Sequence, residues 1–137
     1  MEETLEKLEQ EREVILGEIS RLGGFRRGTV SATYRRCGKA GCWCAGEGEK
    51  GHGPQYLWNG TKGGKSFAKN LHLGPEVEKY MEETDRYRRF VKLCERLVDV
   101  NEKVCDMTPA REVESEKELD ELKKKLQRKL LRKRGSR

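Results

Sequence analysis

The feature that most constrains this 137-residue chain is a cluster of three cysteines and one histidine within sixteen positions. Cys37, Cys42, Cys44 and His52 follow the spacing C-x4-C-x-C-x7-H, with glycines between them. Three thiolates and one imidazole form a complete ligand set for tetrahedral Zn²⁺, and glycine permits the tight turns that bring such ligands together. The spacing therefore predicts a structural zinc site. The alternatives are a loop of reduced cysteines without metal, a redox role, and a different metal role.

The composition indicates a protein with a small core and long helices. Only 34% of the residues are hydrophobic and 39% are charged, which favours amphipathic helices over a large buried interior. No apolar run approaches the roughly 20 residues of a membrane span, and the acidic start is unlike a signal peptide. The five cysteines then fit metal binding in a reducing compartment better than disulfides. We expect a cytoplasmic protein without a membrane partner.

The formal net charge of +6 is unevenly distributed along the chain. Residues 1–22 carry a net charge of −4 and residues 74–107 of −2, whereas residues 23–73 carry +7 and residues 108–137 carry +5. A basic central zone is typical of a surface that contacts phosphate groups. The alternative is an ordinary solvated surface.

Residues 1–24 have the pattern of an amphipathic helix. Steps of four and three residues separate the positions of its seam, which are Met1, Leu5, Leu8, Arg12, Ile15, Ile19 and Leu22. Gly23-Gly24 ends the pattern. A seam of three heptads is too short to be stable alone, so the helix must pack on another helix or on a second copy of itself.

Residues 25–74 predict a small three-stranded antiparallel sheet. The first strand ends near Arg35-Arg36, the second covers residues 55–59, and the third runs from Lys65 to Leu73. A turn over residues 59–64, with Asn59-Gly60 at its head, separates the last two strands, and the cysteine loop separates the first two. We expect His72 on the polar face of the third strand. Such a sheet is marginal by itself and requires a helix on one face.

Residues 75–108 predict a long helix that begins at Pro75. Its broad apolar face consists of Val77, Tyr80, Tyr87, Phe90, Val91, Cys94, Leu97, Val98, Val100, Val104 and Met107, and we expect Cys94 and Cys105 to be buried there. Residues 109–137 are a charged, basic tail, helical or partly disordered, with a thin stripe of leucines. The fold class is α+β: a small sheet with a zinc-binding loop, flanked by an N-terminal helix and a long C-terminal helix.

Catalytic patterns are weak in this sequence. With two histidines, both of which have simpler roles, no Ser-His-Asp set is available. The Gly64-Lys65-Ser66 triplet resembles part of a phosphate loop, but it joins two strands and opens no helix. We therefore expect a protein that is not an enzyme.

Nucleic-acid binding has better support, because basic and aromatic residues alternate in the central zone. The candidate phosphate contacts are Arg26, Arg27, Arg35, Arg36, Lys39, Lys62, Lys65 and Lys69, and the candidate base contacts are Tyr34, Trp43 and Trp58. A small sheet can lie in a major groove or stack single-stranded bases on its aromatic rings. The rings can equally face the helices as core. DNA and RNA are both open as partners.

Three segments together resemble a family of small bacterial and archaeal proteins of unknown function that are often found beside transposases or mobile elements. They are Tyr-Arg-Arg-Cys-Gly-Lys-Ala-Gly-Cys-Trp-Cys at 34–44, His-Gly-Pro-Gln-Tyr-Leu-Trp at 52–58 and Gly-Gly-Lys at 63–65. The resemblance covers residues 1–107 and implies a cysteine loop and a strand between two helices. Gln55 stands where that family usually has an aromatic residue. The strand-turn-strand region is also similar to the three-stranded DNA-binding sheets of some tyrosine recombinases, a likeness of fold alone.

Three hypotheses follow. The first is a non-enzymatic, zinc-stabilised nucleic-acid-binding protein, associated with mobile elements, that forms a homodimer or higher oligomer through its helices. The second is a coiled-coil assembly or adaptor protein whose zinc loop binds another protein. The third is that the basic tail alone binds nucleic acid without sequence preference.

Overall fold

The computed structural model describes residues 2–135, which form three α-helices, one turn of 3-10 helix and one sheet. The elements are α1 Leu5–Ser20, β1 Thr29–Arg35, β2 His52–Lys62, β3 Lys65–Leu71, α2 Pro75–Met107 and α3 Glu116–Gly135. They confirm the predicted α+β class and its order of elements. The chain divides into two compact units, Met1–Val104 and Cys105–Arg137. Met1 of the predicted seam and residues 136–137 of the predicted tail lie outside the described residues.

Helix α1 forms as its seam predicts and packs along the second half of α2. The side chain of Thr4 caps α1 by accepting the N–H of Lys7 at 3.2 Å. Leu8 and Ile15, which are 2% and 0% exposed, pack in one cluster with Leu93 of α2. The helix partner required by the short seam is therefore α2 of the same chain. Within residues 2–135, no helix is long and apolar enough to cross a bilayer.

Ion pairs show that α1 and α2 run antiparallel. Glu3 meets Lys103 at 3.0 Å near one end of the pair, and Glu18 meets Arg89 at 3.6 Å near the other. These pairs lie largely at the surface and contribute little to stability. The buried leucine and isoleucine contacts hold the two helices together.

The apolar face of α2 differs from the predicted one at several positions. Leu93 is 4% exposed and central to the α1 contact, although the prediction omitted it. Val91 and Val98, which the prediction included, are 37% and 53% exposed. The reason is that the single helix α1 covers only a narrow stripe of α2. The expectation that Cys105 is buried is also wrong, because its side chain is exposed and Cys94 is only half-buried.

The sheet has the order β1-β2-β3 with both pairs antiparallel, as predicted. Strand β2 is longer than predicted at both ends. At its start the ladder continues past Gly53-Pro54 through an irregularity: Thr33 pairs with Gln55, but Arg35 pairs with His52. At its end the ladder includes Asn59 and Gly60, so the prediction of a turn beginning there is wrong: Gly63-Gly64, with φ of +57° and +79°, form the turn instead. Strand β3 is shorter than predicted and ends at Leu71.

The chain leaves the sheet after Leu71 because it turns to begin α2. The N–H of His72 donates to the Glu76 carboxylate at 2.9 Å instead of to a neighbouring strand. That N–H lowers the pKa of Glu76. His72 is therefore an exposed residue after the strand rather than part of its polar face, and Leu73 is 81% exposed.

One face of the sheet, called the inner face, packs on the first turns of α2. In this contact, Val77 and Tyr80 of α2 pack against Val30, Tyr56, Trp58 and Leu71 of the sheet. A second cluster of buried residues thus holds the sheet, separate from the α1–α2 cluster. This contact satisfies the requirement of a three-stranded sheet for a covering helix.

The tail is helical, but its helix begins later than its propensity suggests. Residues 110–115 are not helical, and α3 starts at Glu116. The hydroxyl of Ser115 accepts the N–H of Glu118 at 3.2 Å, which is the contact of a helix cap.

Replacing Ile15 by alanine tests the α1–α2 contact. We expect Ile15→Ala to lower the free energy of unfolding by about 2–4 kcal/mol, because it leaves a cavity in a fully buried site. Leu16→Ala is the matched control: Leu16 is 42% exposed, and its truncation should cost less than about 1 kcal/mol. Denaturant unfolding measures both, and equal losses would contradict the assigned helix faces.

Candidate metal centre and nucleic-acid interface

The four predicted ligands converge in the loop between β1 and β2. The donor atoms of Cys37, Cys42, Cys44 and His52 all lie within 4.8 Å of one another. The Sγ atoms of Cys37 and Cys44 are 3.5 Å apart, and the Sγ of Cys42 is 3.2 Å from Nε2 of His52. Cys44 is 1% exposed, whereas Cys37 and His52 lie at the surface. The cluster thus has a buried and an open side.

These separations suit a tetrahedral metal site. With Zn–S bonds of about 2.3 Å, two thiolates of a tetrahedral site lie about 3.8 Å apart, and a thiolate and an imidazole nitrogen about 3.6 Å. The Sγ–Sγ distance of 3.5 Å and the Sγ–Nε2 distance of 3.2 Å are each within a few tenths of an ångström of those spacings. The four side chains can therefore hold a metal ion with little rearrangement.

Local backbone geometry places the cysteines. The N–H of Cys42 donates to the carbonyl of Lys39 at 3.2 Å, and residues Trp43–Ala45 form one turn of 3-10 helix. Gly51 then returns the chain to β2 with a φ of +107°. A Cβ at Gly51 would lie 2.6 Å from the carbonyl carbon of Arg35, so only glycine fits this crossing.

The pKa values of two thiols in the cluster are shifted in opposite directions. The backbone N–H of Lys39, then the His52 side chain, lower the pKa of Cys37 to about 6. The N–H of Cys37 lowers the pKa of Cys44 as well, but burial and the neighbouring thiols outweigh it and the pKa is raised. Cys37 favours the thiolate, which is the ligand form, and a bound cation would favour the thiolate of Cys44 too.

Trp43 lies on the exposed side of the cluster. Its ring meets the His52 ring edge-on, with centroids 5.0 Å apart, and remains 58% exposed. Tyr34 is also exposed, and the ammonium of Lys50 lies 5.6 Å from its ring centroid. This end of the sheet presents aromatic and basic side chains together.

The predicted nucleic-acid residues fall into two groups at opposite ends of the β1–β2 pair. The loop end comprises Tyr34, Arg35, Arg36, Lys39 and Trp43. The turn end comprises Arg26, Arg27, Trp58, Lys62, Lys65 and Lys69, which line one cleft of about 600 Å³ together with Phe25, Phe67 and Tyr87. The structure brings six predicted residues together at this cleft and leaves the other five near the metal centre.

Three residues of the turn end contact other parts of the same chain. The Arg26 guanidinium lies 3.9 Å from the Tyr80 ring centroid and donates to the Glu83 carboxylate at 2.9 Å. Lys69 donates to the Tyr80 hydroxyl at 2.9 Å, which raises the pKa of Lys69 and lowers that of Tyr80. The indole N–H of Trp58 donates to the carbonyl of Arg27. These three groups stabilise the sheet–helix contact.

The exposed cations are distributed between both ends. Arg27, Lys62 and Lys65 are exposed at the turn end, and Arg35 and Lys39 at the loop end. Arg36 is exposed as well and donates to the carbonyl of Glu49 at 2.9 Å. Exposed basic side chains thus frame the sheet at both ends.

The sequence prediction missed the face of the sheet that points away from α2, called the outer face. It alternates with the inner face along the paired strands and consists of Thr29, Ser31, Thr33, Gln55, Leu57, Asn59, Thr61, Ser66, Ala68 and Asn70. None of these ten residues carries a charge, and eight of them have hydroxyl or amide groups. The signal for this face was the period-two alternation of apolar with uncharged polar residues.

Comparison with family models places this architecture among known sequences. The model of a domain of unknown function, DUF6788, matches residues 5–83, which is more than half of the chain. The chain belongs to the DUF6788 family. No curated protein and no solved structure matches it.

The family match covers the parts of the chain that build the candidate site. It includes α1, the whole sheet, the four cluster residues and the start of α2 up to Glu83, the partner of Arg26. Helix α3 lies outside the match. This agrees with the resemblance to a family of unknown function that the cysteine loop indicates.

The metal centre is tested by replacing one donor. We expect the purified protein to contain about one metal ion per chain and Cys42→Ser to retain much less, with a lower melting temperature, because a structural metal contributes directly to folding. Cys105→Ser is the matched control, since Cys105 is exposed and outside the cluster. Elemental analysis and thermal unfolding with and without a chelator measure both effects. Equal metal contents in Cys42→Ser and the unaltered protein would contradict the site.

Proposed function

We propose that this DUF6788 protein is a non-enzymatic, zinc-stabilised protein that binds duplex DNA through the outer face of its sheet. The observation that carries the proposal is the uncharged polar outer face with exposed basic residues at both ends. The uncharged polar groups of this face can form hydrogen bonds with base edges, whereas an ordinary solvated surface is mostly charged. The basic ends supply attraction for phosphate.

Zinc is the metal that best suits the cluster. Three thiolates with one imidazole are a common structural zinc set, and a softer or harder metal prefers other donors. Four protein ligands leave no open position for water or substrate, so the ion would act in structure rather than in catalysis. Zinc would hold the ends of β1 and β2 together beside Arg35 and Lys39.

The dimensions of the sheet fit the major groove of DNA. Neighbouring strands lie about 4.8 Å apart, so three strands span about 10 Å, and the groove is about 12 Å wide. Amide groups such as those of Gln55, Asn59 and Asn70 can pair with the edge of adenine, and hydroxyl groups can pair with several bases. The major groove of RNA duplexes is too narrow for such a sheet, which favours DNA.

Exposed cations at both ends would contact the DNA backbone. Lys62 and Lys65 pair across the tight β2–β3 turn in the inner-face register, so only the ends of their long side chains, at the tip of the sheet, would reach phosphate. Arg35, Arg36 and Lys39 lie near the metal cluster. Phosphate contacts position a protein on DNA, whereas groups facing the base edges provide specificity. This separation matches the distribution of charge on the sheet.

Two other modes have some support in the structure. The cleft at the turn end has aromatic walls and exposed lysines, which are the groups that bind unstacked bases of a single strand. The exposed ring of Trp43 favours the hypothesis that the zinc loop binds another protein. The duplex proposal differs from both in requiring the outer face.

An association with mobile elements is part of the proposal and rests on the family resemblance of the cysteine loop. A DNA-binding accessory protein is a suitable role beside a transposase, since it needs no active site of its own.

Phosphate contact is tested by the salt dependence of DNA binding. We expect the logarithm of the binding constant to fall linearly with the logarithm of salt concentration, and Lys62→Gln or Lys65→Gln to reduce the slope by about 1 each. Lys92→Gln on α2 is the matched control and should leave the slope unchanged. Fluorescence anisotropy with duplex DNA measures these slopes. Absence of binding at about 50 mM salt would contradict the proposed function.

The outer face is tested by an isosteric charge. We expect Asn70→Asp to weaken duplex binding at least about tenfold, because it places a carboxylate against the DNA. Asn101→Asp makes the same change on α2 and is the control, with a much smaller effect expected. Titrations of duplex and single-stranded DNA compare the variants. Equal affinities of the two variants, or tighter binding of single strands, would place the interface at the cleft instead.

A further inference from the structure

Helix α3 has a stripe of leucines that is largely exposed in the second unit of the chain. Leu119, Leu126 and Leu130 are 56%, 46% and 64% exposed, and Leu122 is half-buried. Steps of three and four residues place these four side chains on one side of the helix. A helix of this length is only marginally stable alone, and helices in proteins gain most of their stability from packing an apolar face. The leucine stripe therefore requires a partner.

The charges of α3 are divided along its length. Its first two turns carry Glu116, Glu118, Asp120 and Glu121 with one base, and the following turns carry Lys123, Lys124, Lys125, Arg128, Lys129 and Arg132. Acids near the start and bases near the end of a helix also suit its dipole. The dipole explains the order of the charges, but it does not explain the exposed leucines.

We infer that two copies of this chain pair through α3 in antiparallel orientation. Pairing centred on Lys124 would set Leu122 of one copy beside Leu126 of the second copy. It would also bring Glu118 of each copy beside Lys129 of the other, twice in each dimer, because both residues flank the leucine stripe on the same side of the helix. The acidic turns of each helix would then lie beside the basic turns of the other.

Parallel pairing of the same stripe is disfavoured by charge. It would place residues 123–132 of the two copies side by side, bringing six cations of each helix together. Opposite charges beside an apolar seam determine the orientation of paired helices, and like charges disfavour the wrong one. A second copy of this chain is therefore a partner that covers the leucine stripe and complements the charges of α3. A dimer formed in this way would carry two sheets.

The stripe is tested by sedimentation equilibrium of the full-length chain. We expect the unaltered protein to sediment at twice the monomer mass and Leu126→Lys to sediment as a monomer. Leu131→Lys is the matched control, because Leu131 is 66% exposed and lies about 100° around the helix from Leu130. A monomer throughout the micromolar range, or equal effects of the two variants, would overturn the inference.

Charge exchange tests the antiparallel orientation. Glu118→Lys alone and Lys129→Glu alone should each raise the dissociation constant of the dimer roughly tenfold, because each creates two like-charge pairs. The variant with both changes should regain the original dissociation constant and has the composition of the unaltered chain. Circular dichroism verifies that the helix persists. If the double variant stays as weak as the single ones, or if the single variants do not weaken the dimer, antiparallel pairing is excluded.

Discussion

Contact between the aromatic inner face of the sheet and the first turns of α2 is the interaction on which the rest of this structure depends. Three short strands have too little buried area to be stable alone. Tyr80, 7% exposed, provides much of the cover: its ring meets Trp58 at 5.4 Å between centroids and lies beneath Arg26. Because this contact occupies the aromatic rings of the inner face, the opposite face of the sheet remains polar and open.

The metal cluster restrains the sheet at the end farthest from the β2–β3 turn. Helix α2 covers the inner face, but the loop of residues 36–51 has few apolar residues to bury. Of the three cysteines in this loop, Cys44 alone is fully buried, and its Sγ lies 3.5 Å from the Sγ of Cys37. A bound ion would therefore replace the core that this loop lacks, as is usual in small domains.

Local sequence patterns were sufficient to predict most elements of this fold. Contacts between residues far apart in the sequence could not be predicted from them. The spacing of α1 and of the cysteine cluster predicts both features, since each depends on residues close in sequence. The inner position of Trp58 was not predictable, because an aromatic residue suits a core and a base-stacking surface equally. Arg26 was predicted as a phosphate contact, but its partner Glu83 is 57 residues away. Leu93 was missed because only the position of α1 shows which stripe of α2 is covered.

The irregular pairing at the start of β2 determines which changes of length this family can tolerate. Between the residue pairs Thr33–Gln55 and Arg35–His52, β2 has two residues where β1 has one. Side chains alternate faces along a strand, so removing a residue at Gly53-Pro54 would turn His52 away from the cysteines. The segment between Cys44 and Gly51 belongs to neither strand and is free of that constraint. Relatives should therefore differ in loop length between the third cysteine and the buried glycine, and keep a constant number of residues from that glycine to the end of β2.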